Sequence, residues 1–291
     1  MVYLIDASVF VFRAWYSIPA EMTDPDANPV NALYGFARFL GDFLENVRPE
    51  LVAVAFDENR GESCVRTAIY PPYKANREPA PPELKLQFSR CRAVTRALGL
   101  TDCADPCFEA DDLIGAMATQ MRAAGCSITI LSRDKDLAQC LRPGDELWDY
   151  PSGRRVAYEQ VPEVFGVRAE QIADFLALTG DAVDNIPGVR GVGPKTAAAL
   201  LRRFDTVEDI YANLEAVGQM KFRGAPLLPQ RLREERDKVE IARRLTGVRC
   251  DAPVQVDRRS LARRAPVLDT LSALYDDAGF GSALRRQAER L

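Results

Sequence analysis

A chain of 291 residues with 47% hydrophobic content is long enough for one large domain or two smaller ones. It contains no histidine, which removes Ser-His-Asp and Cys-His hydrolases, His-dependent nucleases and HExxH metalloproteases. The net charge of −4 argues superficially against a nucleic-acid partner, and no apolar run approaches membrane-spanning length.

Met1 leads directly into a strand, so no secretory leader is expected, and seven cysteines point to reduced thiols in a cytoplasmic protein. Cys103 and Cys107 form a CxxxC, but no second Cys or His pair completes a zinc site. Val2 to Ile5 forms the first strand and ends on Asp6. A loop follows to about Pro29, then an amphipathic helix near Asn31–Val47. Leu51 to Phe56 is a second strand, ending on Asp57. Such short Val-, Ile- and Leu-rich runs read as strands buried on both faces of a parallel sheet.

Residues 58–82 differ in character. Arg60, Arg66, Lys74 and Arg77 mix with Tyr70, Tyr73 and five prolines between Pro71 and Pro82. Loops of this length inside compact domains are usually functional or disordered. Helices are predicted near 83–98 and 109–124, bracketing a loop. Ser127 to Leu131 is the third strand, followed by Asp134 and Asp136 at the start of a helix. Beyond about Ala169 the chain reads as mainly helical. Its glycine-rich turn, Ile186-Pro-Gly-Val-Arg-Gly-Val-Gly-Pro-Lys-Thr196, lies between helical patterns near 169–178 and 194–203. The turn has neither P-loop nor Rossmann spacing.

Groups at the carboxyl ends of parallel strands converge on one crevice. Asp6, Asp57, Asp134 and Asp136, with Glu109, Asp111, Asp112, Asp181 and Asp184, would bring nine carboxylates to that edge. Taken singly, each cluster fits a helix cap or loop. Repetition at equivalent sheet positions instead indicates a metal centre, because so many negative charges need cations to share a site. All-oxygen ligands select hard cations, hence Mg²⁺, with Mn²⁺ able to substitute. Removing nine negative charges from a net −4 leaves the remaining surface at +5, so the overall charge conceals a basic protein.

Paired hard cations about 3.5–4 Å apart stabilise both oxygens of an in-line phosphoryl displacement. Lys74, Arg77 and Arg66 would then hold and polarise a scissile phosphate, and Tyr70 or Tyr73 would stack on an unpaired base. A solvated basic loop whose tyrosines cover the core fits that segment equally well. The backbone N–H groups of Gly191 and Gly193, beside Arg190, Lys195 and Thr196, would take duplex phosphates. The alternative there is a tight helix–helix connection.

These motifs, in this order, resemble the bacterial 5′→3′ exonuclease and flap endonuclease family. They run from Leu4-Ile-Asp-Ala-Ser8 through Phe56-Asp57, Tyr73-Lys-Ala-Asn-Arg77, Glu109-Ala-Asp-Asp112 and Asp134-Lys-Asp136. Gly180-Asp-Ala-Val-Asp-Asn-Ile-Pro-Gly188, the glycine turn and Phe280-Gly-Ser-Ala-Leu284 complete the likeness. Ala7 and Arg133 stand where the family often has glycine.

The resemblance implies an α/β fold with a PIN-like nuclease core over 1–168. A helical arch at about 58–85 and a helical region over 169–291 with a helix-three-turn-helix DNA clamp go with it. It implies an inner metal site at Asp6, Asp57, Glu109 and Asp111, and a more open one at Asp112, Asp134, Asp136, Asp181 and Asp184. Lys74 and Arg77 match the family's phosphate-directed lysine and its companion, and the glycine turn would hold K⁺ through carbonyls. The expected activity is Mg²⁺-dependent cleavage at 5′ ends, flaps and nicks of DNA, including RNA-primed ends, by a monomer in replication and repair. A PIN-type ribonuclease would use similar acids, and a non-catalytic branched-DNA-binding protein would keep only the clamp.

Overall fold

The structure, a computed structural model, describes residues 1–57 and 65–291. Arg60 and part of the expected arch lie outside them. Among the described residues six strands form one sheet: β1 (Val2–Asp6), β2 (Leu51–Asp57), β3 (Thr101–Asp105), β4 (Ile128–Leu131), β5 (Glu146–Asp149) and β6 (Arg154–Ala157). The spatial order is β3-β2-β1-β4-β5-β6, parallel except for the last pairing.

Interleaved with the strands are α1 (Ala7–Ser17), α2 (Asn31–Val47), α3 (Val65–Ile69), α4 (Pro82–Ala97) and α5 (Ala110–Ala123). After the sheet come α6 (Val161–Phe165), α7 (Ile172–Thr179), α8 (Pro194–Phe204), α9 (Val207–Ala212) and α10 (Leu214–Gly218). The series ends with α11 (Leu228–Glu234), α12 (Arg236–Thr246), α13 (Leu268–Asp277) and α14 (Ser282–Ala288). Among the described residues, no helix is long and apolar enough to cross a membrane.

Alternation along the strands divides the core into two layers. Val2, Leu4, Ala53, Ala55, Ile128 and Ile130 face one side, and Ile5, Val52, Val54, Phe56 and Leu131 the other. The second layer is covered by α1, α2 and α4, with Leu33, Phe36, Leu40 and Leu44 of α2 spaced to form one apolar stripe. Each such buried side chain contributes about 1.5–3 kcal/mol. The first layer runs without a break from α5 into the later helices, joining Leu113 and Met117 to Ala177, Leu200 and Val239. Leu271, Tyr275 and Leu284 of α13 and α14 return to the α2 side, so the C-terminal helices lie on the first part of the chain rather than on the helices before them.

Several elements differ from expectation. The supposed loop up to Pro29 contains α1, whose β-branched and aromatic residues obscure its helical spacing. The supposed loop before Glu109 contains β3, whose Thr-Asp-Cys-Ala-Asp sequence is too polar to read as a strand. The helix from Asp134 is a short 3-10 turn, Lys135–Cys140. The antiparallel edge strand β6 has too little apolar character to show in the sequence.

Candidate metal centre

β1, β2 and β4 lie side by side and end at the same edge. The register pairs Asp6 with Ala55 and Ile5 with Leu131, so Asp6, Asp57 and the segment from Ser132 to Asp136 emerge together. Asp6 caps α1: its Oδ1 accepts the Ser8 N–H at 3.1 Å and its Oδ2 the Ser132 hydroxyl at 2.9 Å. Asp57 accepts the Ser8 hydroxyl at 2.6 Å and the Ala110 N–H at 2.8 Å. Asp134 caps the 3-10 turn by accepting the Asp136 N–H at 2.9 Å. By contrast Asp105, at the end of β3, spends its side chain on the N–H groups of Cys107 and Phe108.

A cleft of about 460 Å³ opens on this edge and is lined by eight of the nine expected acids: Asp6, Asp57, Glu109, Asp111, Asp134, Asp136, Asp181 and Asp184. Burial, followed by the charge of Asp57, pushes Asp6 up to about 7. Burial and Asp134 raise Asp136 to about 7 as well. Asp111 is held well above the usual carboxylate range by burial, then by Asp6 and Asp134. Glu109 goes the other way: burial opposes its charge, but Lys74 and Arg66 outweigh it and lower the pKa. A larger cavity of about 690 Å³ lies between α9 and α12, but its Glu208 and Glu240 pair with Arg243 and Arg236.

Lys74 and Arg77 stand at the cleft. Lys74 Nζ donates to Glu109 Oε1 at 2.8 Å and lies 3.9 Å from Asp184 Oδ2, while Arg77 pairs with Asp184 Oδ1. Their loop is clasped to the Asp181–Asn185 turn: the Lys74 N–H donates to the Asp184 carbonyl at 2.9 Å, Asn185 Nδ2 to that of Pro72 at 2.7 Å, and Asn76 Nδ2 to that of Ala182 at 2.9 Å. The positive φ of Lys74, 55°, is held by these bonds.

Four expectations are corrected here. Asp112 is fully buried and does not line the cleft; its two oxygens take Arg66 at 2.6 and 2.8 Å, and accept the N–H groups of Arg249 and Glu109. Arg66 lines the cleft, but its other donors go to the carbonyls of Leu245 and Gly247 and its Nη1 lies 3.6 Å from Glu109 Oε2, so its fork is held within the protein. The Tyr73 ring is buried, and its hydroxyl sits 3.1 Å from Glu109 Oε2 and 3.2 Å from Asp184 Oδ2, orienting acids instead of stacking on a base. Tyr70 is half-buried against the core; here the plainer alternative, tyrosines covering the core, is what the structure has.

The glycines of the turn differ in their surroundings. A Cβ on Gly188 would lie 2.2 Å from the Thr179 carbonyl carbon, so this glycine permits close packing. Gly191 has φ +83°, and Gly193 caps α8 with open space around the position of a Cβ. Arg190 and Lys195 are exposed beside them and Thr196 is half-buried. Ser8, Ser132, Phe12 and Lys135 also belong to the site and escaped the sequence reading. The two serines carried a signal, since each lies two residues from a cleft aspartate.

Among the described residues no three acids are already drawn into one ligand shell, since serines, backbone N–H groups and Lys74 hold them apart. The donor set nevertheless fits a hard cation. It is all oxygen, burial and neighbouring carboxylates raise Asp6, Asp111, Asp134 and Asp136, and Asp136 Oδ1 is buried with no hydrogen-bond partner.

A mostly parallel sheet gathering acids at its carboxyl edge beside a lysine and an arginine defines the PIN-like class of nuclease folds. Residues 1–166 match the family described as 5'-3' exonuclease, N-terminal resolvase-like domain, and residues 167–269 match 5'-3' exonuclease, C-terminal SAM fold. The chain belongs to the 5'-3' exonuclease family. It is 34% identical over 294 residues to the DNA polymerase I of Rhizobium leguminosarum, covering 99% of this chain and 28% of that protein. It is 32% identical to the 5'-3' exonuclease of Aquifex aeolicus, covering 97% and 93%. The chain thus spans about a third of the length of the DNA polymerase I relatives it matches. The fold is similar to that of T5 5'-exonuclease bound to zinc (TM-score 0.68, 17% identity, 99% and 97% coverage). It is also similar to the catalytic core of Rad2 with DNA substrate (TM-score 0.65, 14% identity, 99% and 90% coverage).

Proposed function

We propose that this chain hydrolyses phosphodiester bonds at free 5′ ends, flaps and nicks of DNA, including RNA-primed ends, as a monomer. The observation that carries this reading is the convergence of eight acids from strand ends, α5 and the 181–184 turn on one cleft with Lys74 and Arg77. Mg²⁺, with Mn²⁺ substituting, would be held by Asp6, Asp57, Glu109 and Asp111 on one side and by Asp134, Asp136, Asp181 and Asp184 on the other. Paired hard cations supply an activated water and neutralise charge on the displaced phosphate.

The chain's own residues do the rest. Lys74 and Arg77 hold the scissile phosphate once the acids they now pair with are neutralised. Tyr73 fixes Glu109 and Asp184, and Ser8 and Ser132 fix Asp57 and Asp6. Gly191 and Gly193 would present backbone to a duplex, Arg190 and Lys195 would add charge, and carbonyls of the turn would be the groups to hold K⁺.

The test is single-turnover cleavage of a 5′-labelled flap with Mg²⁺, Mn²⁺ or EDTA, beside a blunt duplex and single-stranded RNA. Metal-dependent cutting near the junction supports the reading. Flap binding without cutting, or cutting of RNA alone, rejects it.

A further inference from the structure

Arg66 and Asp112 form a buried pair where three elements meet: Asp112 lies behind the cleft, and Arg66 lines its wall with Nη1 3.6 Å from Glu109 Oε2. Asp112 lies in the first turn of α5, beside Asp111 and three residues after Glu109. By accepting the Glu109 N–H at 3.2 Å it fixes the start of that helix. Arg66 reaches from α3 to the Leu245 and Gly247 carbonyls at 2.7 and 3.1 Å, where α12 ends, and the Arg249 N–H returns to Asp112 at 2.9 Å. The same segment is gripped from the other side. Gln139, in the 3-10 turn that carries Asp136, donates to the Thr246 carbonyl at 3.0 Å and accepts the Val248 N–H at 2.9 Å. Residues 245–249 therefore bridge the acids of α5 and Asp136.

A buried ion pair gives little net stability over an apolar pair of similar size, because desolvation offsets attraction. What it supplies is a fixed geometry: a bidentate fork aligns α3, α5 and α12 in a way that two apolar side chains would not.

We propose that Arg66 and Asp112 are positioning residues that touch neither substrate nor metal. They set the spacing between the acids of α5 and those of the 3-10 turn through the end of α12. This rests on the nuclease reading above for its kinetic consequence, but not for the placement of the pair.

The first test is a crystal of the wild-type protein soaked in Mn²⁺, with the ion located by anomalous scattering. Ions on the cleft acids with Asp112 still on Arg66 are expected; an ion on Asp112 overturns the proposal whether or not the protein cuts DNA. The second compares Asp112→Asn with a double variant, Arg66→Met with Asp112→Asn, which removes both charges together and leaves an amide oxygen for the N–H groups. Calorimetric Mn²⁺ affinity and flap affinity in Ca²⁺ are expected to hold, while single-turnover cleavage falls about 100-fold, the scale of a small misplacement of reacting groups. Extra metal is expected not to restore it. A tenfold loss of Mn²⁺ affinity, or an unchanged rate in a folded variant, overturns the proposal. Variants that do not fold leave the Mn²⁺ position to decide. Failure of the wild-type protein to cut any flap rejects the nuclease reading separately.

Discussion

Lys74 Nζ lies 2.8 Å from Glu109 Oε1, so without metal the acids of the inner site borrow their counter-charge from the residue that would hold the phosphate. Burial alone would lower the Lys74 pKa, but Glu109 and Asp184 raise it, and the ammonium stays charged. Lys74→Ala is therefore expected to slow single-turnover flap cleavage by about 10²–10³, as loss of one preorganised charge-stabilising donor does elsewhere. Flap affinity in Ca²⁺ should change little. Metal should bind at least as tightly, because a competing cation is gone. An unchanged cleavage rate would remove Lys74 from the chemistry.

Asp136 Oδ1 is buried and unpartnered, and Asp134, two residues before it, accepts its N–H and lines the same cleft. The pair Asp134→Asn with Asp136→Asn is expected to abolish cleavage while leaving the melting temperature of the metal-free protein unchanged or raised, since two crowded carboxyls lose their charge. Flap binding in Ca²⁺, read by fluorescence anisotropy, should survive. Loss of binding together with loss of fold would mean that these acids hold the structure.

The raised acids fix the direction of a pH effect. With Asp6 and Asp136 near 7 in the folded protein and 3.8 as their ordinary value, the folded chain keeps protons across this window that the unfolded chain has released. Stability of the metal-free protein therefore falls as pH rises from about 4 to about 7. Glu109, lowered by Lys74 and Arg66 against burial, already contributes in full above its ordinary value of 4.5, so it does not mask the trend. Metal binding displaces the same protons, so the rise in melting temperature on adding Mn²⁺ should grow from about pH 5 to about pH 8. A metal-free melting temperature that stays flat or rises over this range would show these carboxyls to be ionised without metal.

The parallel strands and their terminal acids were legible because β1, β2 and β4 are short apolar runs followed at once or within three residues by an aspartate, a pattern local in the sequence. Asp112 and Arg66 were misread for the opposite reason. Nothing in Glu109-Ala-Asp-Asp112 distinguishes a carboxylate facing the cleft from one facing away, since only the helical turn between Asp111 and Asp112 and the arrival of α12, more than a hundred residues later, decide it. Tyr73 was misread likewise: its hydroxyl finds Glu109 and Asp184, neither of them near it in sequence. β3, β5 and β6 were missed because their polar residues are tolerated at places that strand propensity alone does not anticipate.

The glycines of the 186–196 turn differ in packing, and two substitutions use the difference to test the proposed duplex contact. Gly193 has ordinary φ, −96°, and a Cβ there meets nothing within 4 Å. Gly193→Leu should therefore fold without a clash, at a cost of about 1 kcal/mol for the poorer N-cap. The same side chain would stand where a duplex phosphate must reach the start of α8, and is expected to weaken duplex affinity in Ca²⁺ and to slow cleavage below saturation while leaving the saturated rate close to wild type. Gly188→Ala is the contrasting case: its Cβ would collide with the Thr179 backbone at 2.2 Å, so loss of stability should precede any effect on binding. Anisotropy titrations at several salt concentrations, alongside thermal melts of both variants, read the two effects apart. Unaltered duplex affinity for Gly193→Leu would make the turn a helix–helix connection and move the duplex contact elsewhere.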